Sequence, residues 1–169
     1  NSPYLITETI QIPEGITLTI EAGVTVSFSG EGDMFLVDGE IQAQGTAGDK
    51  IVFEGNGADN FFNILTSECS LFLDYCVFDN ANRLLSVDES VSQVILRHSL
   101  VTNISSASDL YHWHEACFIE YNVFIDAAGF GFMNWFGKDS GATMYVRYNV
   151  VKTNSEIFVI FSPNVYHQG

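Results

Sequence analysis

The feature of this sequence that most constrains its fold is an internal repeat of about 23 residues, which is within the range of repeat lengths in solenoid proteins. Four eight-residue segments align without gaps, and their first residues are Leu71, Val94, Cys117 and Met144. The first three of these residues are evenly spaced, and the fourth follows after an interval that is four positions longer. A repeat of this length built from short β segments is typical of one coil of a solenoid, in which each coil packs on the previous one.

A second series of apolar positions has the same period. It consists of Ile64, Val87, Leu110 and Met133, which are evenly spaced at the interval that separates Leu71 from Val94. The four extra residues of the last interval are therefore predicted between 133 and 144. The repeats are rich in β-branched and aromatic residues that alternate with period two, which favours strands over helices. We predict an all-β chain that forms one parallel β-helix domain over residues 1–169, with roughly six to seven coils.

The charged residues of the repeat indicate which side chains point outward. The fourth position of the repeat is Asp74, Arg97, Glu120 and Arg147. Four stacked buried charges are prohibitive, so this column is predicted to face solvent, with each charge next to an opposite charge one coil away. The first and third positions then point inward, and all of them are apolar. They are Leu71, Val94, Cys117, Met144, Leu73, Leu96, Ile119 and Val146.

Apolar residues at the second position share the outward face with these charges. They are Phe72, Ile95, Phe118 and Tyr145. An apolar stripe on a soluble protein usually marks a contact surface, so these four residues are predicted to mediate self-association into a homo-oligomer. In the alternative interpretation, a kink in the strand tucks part of the column inward or a flanking segment covers it.

The N-terminal third carries short alternating strands, but we expect residues 1–55 to be entry coils outside the 23-residue register. Residues 56–169 are expected to form the regular repeats. Four N-terminal segments resemble the first coils of right-handed parallel β-helix proteins of the pectin-lyase-like group, and three dipeptides at the strand ends are similar to that group too. The segments are SPYLIT at 2–7, IPEGITLTIEAGVTV at 12–26, GEIQAQGT at 39–46 and KIVF at 50–53, and the dipeptides are Tyr75-Cys76, Tyr121-Asn122 and Tyr148-Asn149.

This resemblance implies a right-handed solenoid from a secreted or surface protein, and it leaves the activity open. The group includes polysaccharide lyases, hydrolases, epimerases, adhesins and stalks. Its lyases use acidic Ca²⁺ ligands with an Arg or Lys base, and its hydrolases use three aspartates that typically include an Asp-Asp pair. This sequence has no Asp-Asp pair, and two of its three arginines belong to the charged column. We therefore expect a non-catalytic extracellular scaffold or surface module without a cofactor; Ca²⁺ is the one ion that the resemblance would add.

The loops after the second series are predicted to leave the solenoid along one edge. Variable loops on one side of a solenoid often carry its binding face, and aromatic rings near carboxylates and imidazoles suit sugar rings. The sequence therefore predicts a polysaccharide or glycan groove, or, as the alternative, the site of a polysaccharide lyase or hydrolase on the Trp113/Trp135 edge. In the purely structural interpretation, each tryptophan packs a loop against the core and binds no ligand. The candidate binding residues are Asp88, Glu89, His112, Trp113, His114, Glu115, Trp135, Lys138 and Asp139.

Two of these residues also raise the question of a metal. His112 and His114 share one face of an extended segment, with Glu115 beside them. Two imidazoles and a carboxylate suit a transition metal, but the spacing differs from the helical His-Glu-x-x-His signature. No metal site is predicted, and these two histidines are the weak candidates for one.

Composition limits the partners of such a fold. The chain has 21 acidic and 6 basic residues, for a net charge of −15, and it is 47% hydrophobic. The hydrophobic content excludes disorder for most of the chain. The excess of acidic residues argues against nucleic acid binding, and no apolar run is long enough to predict membrane insertion. The three cysteines show no Cys-x-x-Cys spacing and are predicted to be buried free thiols. The chain starts at Asn1, and we expect a piece of a longer or processed protein that is extracellular or at the cell surface.

Overall fold

The apolar alternation of the repeat places one strand face inside a stack of coils. The computed structural model describes residues 2–87, 91–110, 113–128, 130–132, 142–152, 158–160 and 165–168. It is an all-β structure of parallel strands stacked roughly 23 residues apart, a β-solenoid of about six turns. The predicted fold class is therefore confirmed. Within these ranges, no helix is long and apolar enough to cross a membrane.

The strands are short, and each corner of the solenoid separates two of them. In chain order they are β1 (Tyr4–Ile6), β2 (Ile10–Ile12), β3 (Thr17–Ile20), β4 (Thr25–Phe28), β5 (Phe35–Val37), β6 (Glu40–Gln44), β7 (Ile51–Ile64), β8 (Ser70–Asp74), β9 (Cys76–Val87), β10 (Gln93–Arg97), β11 (Leu100–Ile104), β12 (Ser108–Leu110), β13 (Cys117–Glu120), β14 (Val123–Ile125), β15 (Phe130–Phe132), β16 (Met144–Arg147), β17 (Val150–Lys152), β18 (Phe158–Ile160) and β19 (Val165–Gln168).

These strands form three parallel sheets along the solenoid. A seven-stranded sheet has the order β19-β16-β13-β10-β8-β6-β3, and a three-stranded sheet has the order β12-β15-β18. The nine-stranded sheet follows the path β1-β4-β7-β9-β11-β14-β17, with β2 and β5 beside it. In the seven-stranded sheet, Leu71 pairs with Val94 and Cys117 with Met144, as the repeat predicts.

One pair of strands in the first coils has the period of the repeat, whereas the other strand pairs of these coils have different offsets. Leu18 in β3 pairs with Ile41 in β6, which lies one repeat length later in the sequence. The expectation that positions 1–55 lie outside this register is therefore wrong for these two strands. The long coil is the next one, because Ile41 pairs with Leu71. Part of the extra length is a bulge in β7, where a Cβ on Gly55 would lie 2.3 Å from the backbone oxygen of Asn80. The bulge therefore requires glycine at this position.

The second series shifts by one residue in its last interval. Leu110 pairs with Phe132 and not with Met133. Spacing alone is a weak guide to register where the paired strands have only three residues. The inserted residues of this coil therefore lie between 132 and 144.

The interior contains the inward columns that the alternation predicts. All eight of their residues are buried, with at most 1% of their surface exposed. Beyond them, a cluster of phenylalanines fills the interior of the first coils, and Phe53 stacks on Phe78 at 4.9 Å between ring centroids. Burial of each such side chain contributes about 1.5–3 kcal/mol. The stacked columns therefore supply the main driving force for this fold.

The three cysteines lie in this interior as free thiols, as predicted. Cys117 belongs to an inward column, and Cys76 begins the strand after a corner. Burial raises the pKa of each of the three thiols to about 12. A cysteine is nucleophilic only as a thiolate, so these three thiols are poor nucleophiles in the folded protein.

Candidate functional site

The charged column is more closely packed than the sequence predicts. Arg97, Glu120 and Arg147 lie opposite one another on β10, β13 and β16. The Nε of Arg97 donates to Oε2 of Glu120 at 3.0 Å, and the Nε of Arg147 donates to Oε1 at 2.5 Å. The hydrogen bond to Glu120 raises the pKa of the Arg147 guanidinium above its ordinary value.

Burial of Glu120 corrects the expectation of a fully exposed charge ladder. Only 3% of the Glu120 side chain is exposed, whereas about a third of each arginine side chain is. The reason is the length of arginine, whose guanidinium reaches Glu120 on the neighbouring coil. Both carboxylate oxygens of Glu120 are thereby engaged by the two guanidiniums.

The first member of the column has a different partner from the one predicted. Asp74 Oδ1 lies 2.8 Å from Nδ1 of His98, one coil later. No described contact joins Asp74 to the Arg97 side chain, although the two residues are opposite each other on β8 and β10. His98 belongs to no sequence motif, but it directly follows the charged column, in the same repeat position as the three tyrosines of the Tyr-Cys and Tyr-Asn dipeptides.

These four residues form a continuous stack at one corner of the solenoid. Tyr75 stacks on His98 at 4.7 Å, His98 on Tyr121 at 5.3 Å, and Tyr121 on Tyr148 at 4.9 Å between ring centroids. The ring planes are nearly parallel. We call Tyr75, His98, Tyr121 and Tyr148 the aromatic corner. Tyr121 and Tyr148 are about half exposed, at 49% and 45%.

The backbone at this corner is left-handed, which is unusual for tyrosine. The φ angles of the four residues lie between 46° and 58°. Asn80, Asn103 and Asp126 form a second left-handed column, with one residue from each coil, at another corner. Asn and Asp tolerate this conformation readily, whereas bulky residues adopt it rarely. The backbone therefore does not dictate aromatic residues at the first corner.

A ladder of polar side chains lies directly behind the aromatic corner. The ladder consists of Ser99, Asn122 and Asn149, and the side-chain oxygen of each accepts a hydrogen bond from a backbone N–H one coil earlier. The donors are Cys76, Ser99 and Asn122 in that order, at 2.9–3.0 Å. The amide groups of both asparagines also donate to backbone carbonyls, those of Leu96 and Ile119. The ladder satisfies buried backbone groups where the sheet hydrogen bonds end, and so fixes the corner.

The outward apolar stripe lies on the other side of the charged column. Phe72, Ile95, Phe118 and Tyr145 are each half-buried. Phe118 stacks on Tyr145 at 5.1 Å between centroids. The Arg97 guanidinium lies 4.6 Å from the Phe118 centroid, and that of Arg147 lies 5.0 Å from the Tyr145 centroid. The arginines therefore partly cover this stripe.

The stripe, the charged column and the aromatic corner form one surface. Arg147 connects all three, because its guanidinium also lies 5.7 Å from the Tyr148 ring and is bonded to Glu120. We call this surface the outer face; it comprises the three sets together on the seven-stranded sheet and its adjoining corner. Arginines between two aromatic stacks present directional donors beside apolar ring surface.

The structure describes three of the predicted loop-edge residues, and Trp113 follows the alternative interpretation. Trp113 is buried, with 2% exposure, and its Nε1 donates to the backbone oxygen of Ala142 at 3.2 Å. A buried indole offers no open ring face to a sugar, so it packs a loop against the core. His114 and Glu115 are exposed on the same segment. The remaining candidates lie outside the described residues; they are Asp88, Glu89, His112, Trp135, Lys138 and Asp139.

The described carboxylates do not form a metal centre. Among the residues that the structure describes, no group of three His, Cys, Asp or Glu side chains is arranged to hold a metal ion. In the charged column, Glu120 is bonded to two arginines and Asp74 to His98.

No protein-family model matches this chain, and neither a curated protein nor a solved structure matches it. What is shown of the chain is its architecture, a parallel β-solenoid of about six turns. The function must be argued from the outer face itself.

Proposed function

We propose that this chain is a non-catalytic module of an extracellular or cell-surface protein, and that its outer face binds an extended polysaccharide. The observation that carries the proposal is the packing of Arg97 and Arg147 against the Phe118–Tyr145 ring stack, with the half-exposed Tyr148 ring on the far side of Arg147. Aromatic rings beside directional donors are the combination that sugars require, because a sugar has apolar C–H surface and a rim of hydroxyls.

The periodicity of the outer face supports a polymer as the ligand. Neighbouring strands of a sheet lie about 4.8 Å apart, so similar groups recur at that spacing along the solenoid. The aromatic corner repeats over four coils, and Tyr121 and Tyr148 are its most exposed rings. A linear chain that runs along the solenoid axis meets an equivalent group at each coil, whereas a single small molecule uses only one or two.

The rigidity of the corner also favours binding. The stack and the ladder of Ser99, Asn122 and Asn149 hold the rings in place before any ligand arrives. A preorganised surface loses less side-chain entropy when it binds. The left-handed backbone of these tyrosines also supports a functional role, because residues in rare backbone conformations cluster at functional sites.

The assignment to the pectin-lyase-like group is part of this proposal. It is based on the N-terminal segments and on the Tyr-Cys and Tyr-Asn dipeptides, and the extracellular location follows from the same resemblance. The alternative function, a lyase or hydrolase on the Trp113/Trp135 edge, is less well supported because Trp113 is buried. Self-association through the outward stripe is also less well supported, because Arg97 and Arg147 partly cover it.

The test is affinity electrophoresis of the intact chain through gels that contain different polysaccharides. We expect retardation in at least one gel, and loss of that retardation in the double variant Tyr121→Asn/Tyr148→Asn. Asparagine is suited to the left-handed backbone, so the fold is retained. Tyr4→Asn is the matched control, because Tyr4 is also half exposed but lies in the first coil, and it should be retarded as the unmodified chain is.

Three outcomes would overturn the proposal. The first is that no polysaccharide retards the chain. The second is that the double variant is retarded as strongly as the unmodified chain. The third is that the polysaccharide is degraded, with unsaturated products or new reducing ends, which would establish the enzymatic alternative. A mass above that of a monomer by light scattering, reduced by Phe118→Ser without a change in retardation, would assign the stripe to self-association instead.

A further inference from the structure

We propose that Asn103 is the acceptor of an N-linked glycan, which is attached to its side-chain amide nitrogen. This inference goes beyond the proposed function and rests on it for the extracellular location alone, because the modification belongs to secreted proteins. The sequence basis is Asn103-Ile104-Ser105, which fits the acceptor motif Asn-x-Ser/Thr, in which x is any residue except proline. No other asparagine of the chain has Ser or Thr two positions later.

The structure places both polar side chains of this motif on the outside of the solenoid. Asn103 and Ser105 are exposed at the end of β11, whereas the Ile104 side chain between them is buried in the core, with 2% exposure. The buried isoleucine therefore orients the motif, so that the acceptor amide and the hydroxyl both face solvent. An N-linked glycan is bulky and hydrated, so only an acceptor on the surface can carry one in the folded protein.

The hydrogen bonding of Asn103 leaves one amide hydrogen that a sugar can replace. Its Nδ2 donates to Oδ1 of Asp79 at 2.7 Å, and among the described residues this is the only hydrogen bond of the Asn103 side chain. A side-chain amide has two N–H donors, and N-glycosylation consumes one of them. The modified side chain can therefore keep its contact with Asp79, so the glycan displaces no described hydrogen bond of the fold.

The transfer needs a glycosyl donor, for which we name an oligosaccharide on a lipid-linked diphosphate. Nδ2 of Asn103 forms a bond to the anomeric carbon of the first sugar, while the bond between that carbon and the diphosphate oxygen breaks. The lipid diphosphate leaves with the electron pair, and one amide proton passes to a base of the transferase. The step is neither an oxidation nor a reduction, and this chain supplies only the acceptor.

Neighbouring coils provide an internal comparison at the same corner. Asn80 and Asp126 occupy the equivalent positions one coil earlier and one coil later, with the same left-handed backbone. Asn80 is also exposed, but the residue two positions after it is Asn82, which has no hydroxyl. Exposure and backbone conformation are therefore shared with Asn80, and the hydroxyl of Ser105 is what distinguishes Asn103. The glycan should be found on Asn103 and not on Asn80.

The glycan should leave the outer face open. β11 runs from the aromatic corner, which contains His98, to the corner that contains Asn103. At about 3.3 Å per residue, a strand of this length separates the two corners by roughly 16 Å. A glycan on Asn103 extends into solvent from the far end of the nine-stranded sheet, so it should not compete with a polysaccharide on the outer face.

The test is translation of the intact chain behind a cleavable signal peptide, in the presence of microsomes that contain an oligosaccharyltransferase. Protection from added protease identifies the translocated chains. We expect these chains to gain the mass of one glycan, which an N-glycosidase removes with conversion of the acceptor asparagine to aspartate. Peptide mapping should then locate the aspartate at position 103 and leave Asn80 unchanged. Translocated chains without a glycan, or with one on Asn80 instead, would overturn the inference.

Two serine variants separate the acceptor motif from the local structure. The hydroxyls of Ser105 and Ser106 both donate to Oδ1 of Asn82, so Ser105→Ala and Ser106→Ala each remove one hydrogen bond to the same atom. We expect Ser105→Ala to lose the glycan and Ser106→Ala to keep it. Ser105→Thr retains a hydroxyl and should keep it too. An unchanged glycan in Ser105→Ala, or its loss in both alanine variants, would overturn the inference.

The outcomes distinguish this inference from the proposed function. The chain with its glycan should be retarded by polysaccharide as strongly as the same chain after N-glycosidase treatment. Retardation of a chain that receives no glycan would overturn only the inference about Asn103. A glycan on Asn103 of a chain that no polysaccharide retards would support this inference and overturn the polysaccharide-binding function. Retardation that appears only after removal of the glycan would overturn its placement away from the outer face.

Discussion

The side-chain oxygen of Asn122 accepts the backbone N–H of Ser99 at 3.0 Å and thereby joins two successive coils at the same corner of the solenoid. The amide of the same side chain donates to the backbone oxygen of Leu96 at 2.9 Å. Asn122 is buried, so it satisfies two backbone groups that have no access to water. Polar side chains at the corners therefore stabilise the stacking of the coils together with the apolar core.

Asn122→Ala should lower the free energy of unfolding by about 2–4 kcal/mol, because it leaves two buried backbone groups unpaired. Urea unfolding monitored by circular dichroism measures this change. The matched control is Ser105→Ala, which removes an exposed coil-to-coil hydrogen bond to Asn82 and should cost less than about 1 kcal/mol. Equal costs for the two variants would contradict the role of the ladder.

Glu120→Ala should be far more destabilising than Asp74→Ala. The first change removes a buried carboxylate that holds two guanidiniums, and we expect a cost of about 2–4 kcal/mol. The second removes a partner of the more exposed His98 pair, for which we expect less than about 1 kcal/mol. Midpoints of thermal unfolding at one pH compare the two, and similar shifts would show that burial of Glu120 adds nothing.

The buried thiols should make the protein less stable at alkaline pH. Burial raises their pKa to about 12, whereas in the unfolded chain they ionise near 9. Their contribution to stability is therefore complete below pH 9 and is lost as the pH rises toward 12. Between these two pH values, each thiol lowers the free energy of unfolding by about 1.4 kcal/mol per pH unit.

Cys76→Ala isolates this effect, because all other titrating groups are common to both proteins. The free energy of unfolding, measured in urea from pH 7 to pH 10.5, should fall less steeply above pH 9 in the variant than in the unmodified chain. Parallel curves would show that Cys76 ionises equally easily in the folded and unfolded states.

Trp113→Ala should destabilise the fold by about 3–5 kcal/mol without weakening glycan binding. The indole is buried and donates to the Ala142 carbonyl, so its loss leaves a large cavity and an unpaired acceptor. Binding should be measured at a temperature where the variant remains folded. Loss of binding by the folded variant would return the candidate site to the loop edge.

Tyr121→Asn should change the free energy of unfolding by less than about 1 kcal/mol, because two effects of this substitution oppose each other. It loses stacking on His98 and Tyr148, worth about 0.5–1.5 kcal/mol per pair, but it relieves a left-handed tyrosine, which costs on the order of 1–3 kcal/mol. Urea unfolding of the single variant tests this balance. A loss above about 3 kcal/mol would mean that the aromatic corner is needed for folding.

The repeat carries enough information to predict the fold and its core. Alternation in the eight-residue segments separates the two faces of each strand. The charged position shows which face points outward, because burial of a whole column of four charges is energetically prohibitive. The pairing of Leu18 with Ile41 was also present in the spacing, but the longer coil before Leu71 masks it. The shift from Met133 to Phe132 could not be predicted, since three-residue strands tolerate a change of loop length.

The candidate site was less predictable, because it depends on the directions of long side chains. Spacing aligns Glu120 with Arg97 and Arg147, but only the structure shows that both guanidiniums cover it. His98 occupies the same repeat position as Tyr75 and Tyr121 and stacks on both of them. Because it is a histidine among tyrosines, the sequence alone does not indicate that it is part of the aromatic corner. Trp113 illustrates the opposite case, in which a residue type suggests a sugar platform and packing buries it.

The most direct test of the account is a residue-resolved NMR titration of the intact chain with an oligosaccharide of the polymer that retards it. We expect the Nε–Hε signals of Arg97 and Arg147 and the backbone signals of Tyr121 and Tyr148 to shift together along one saturation curve. Signals of the exposed segment at His114 and Glu115 should stay in place. Shifts confined to that segment, or no shift at the two arginines at saturation, would contradict the assignment of binding to the outer face.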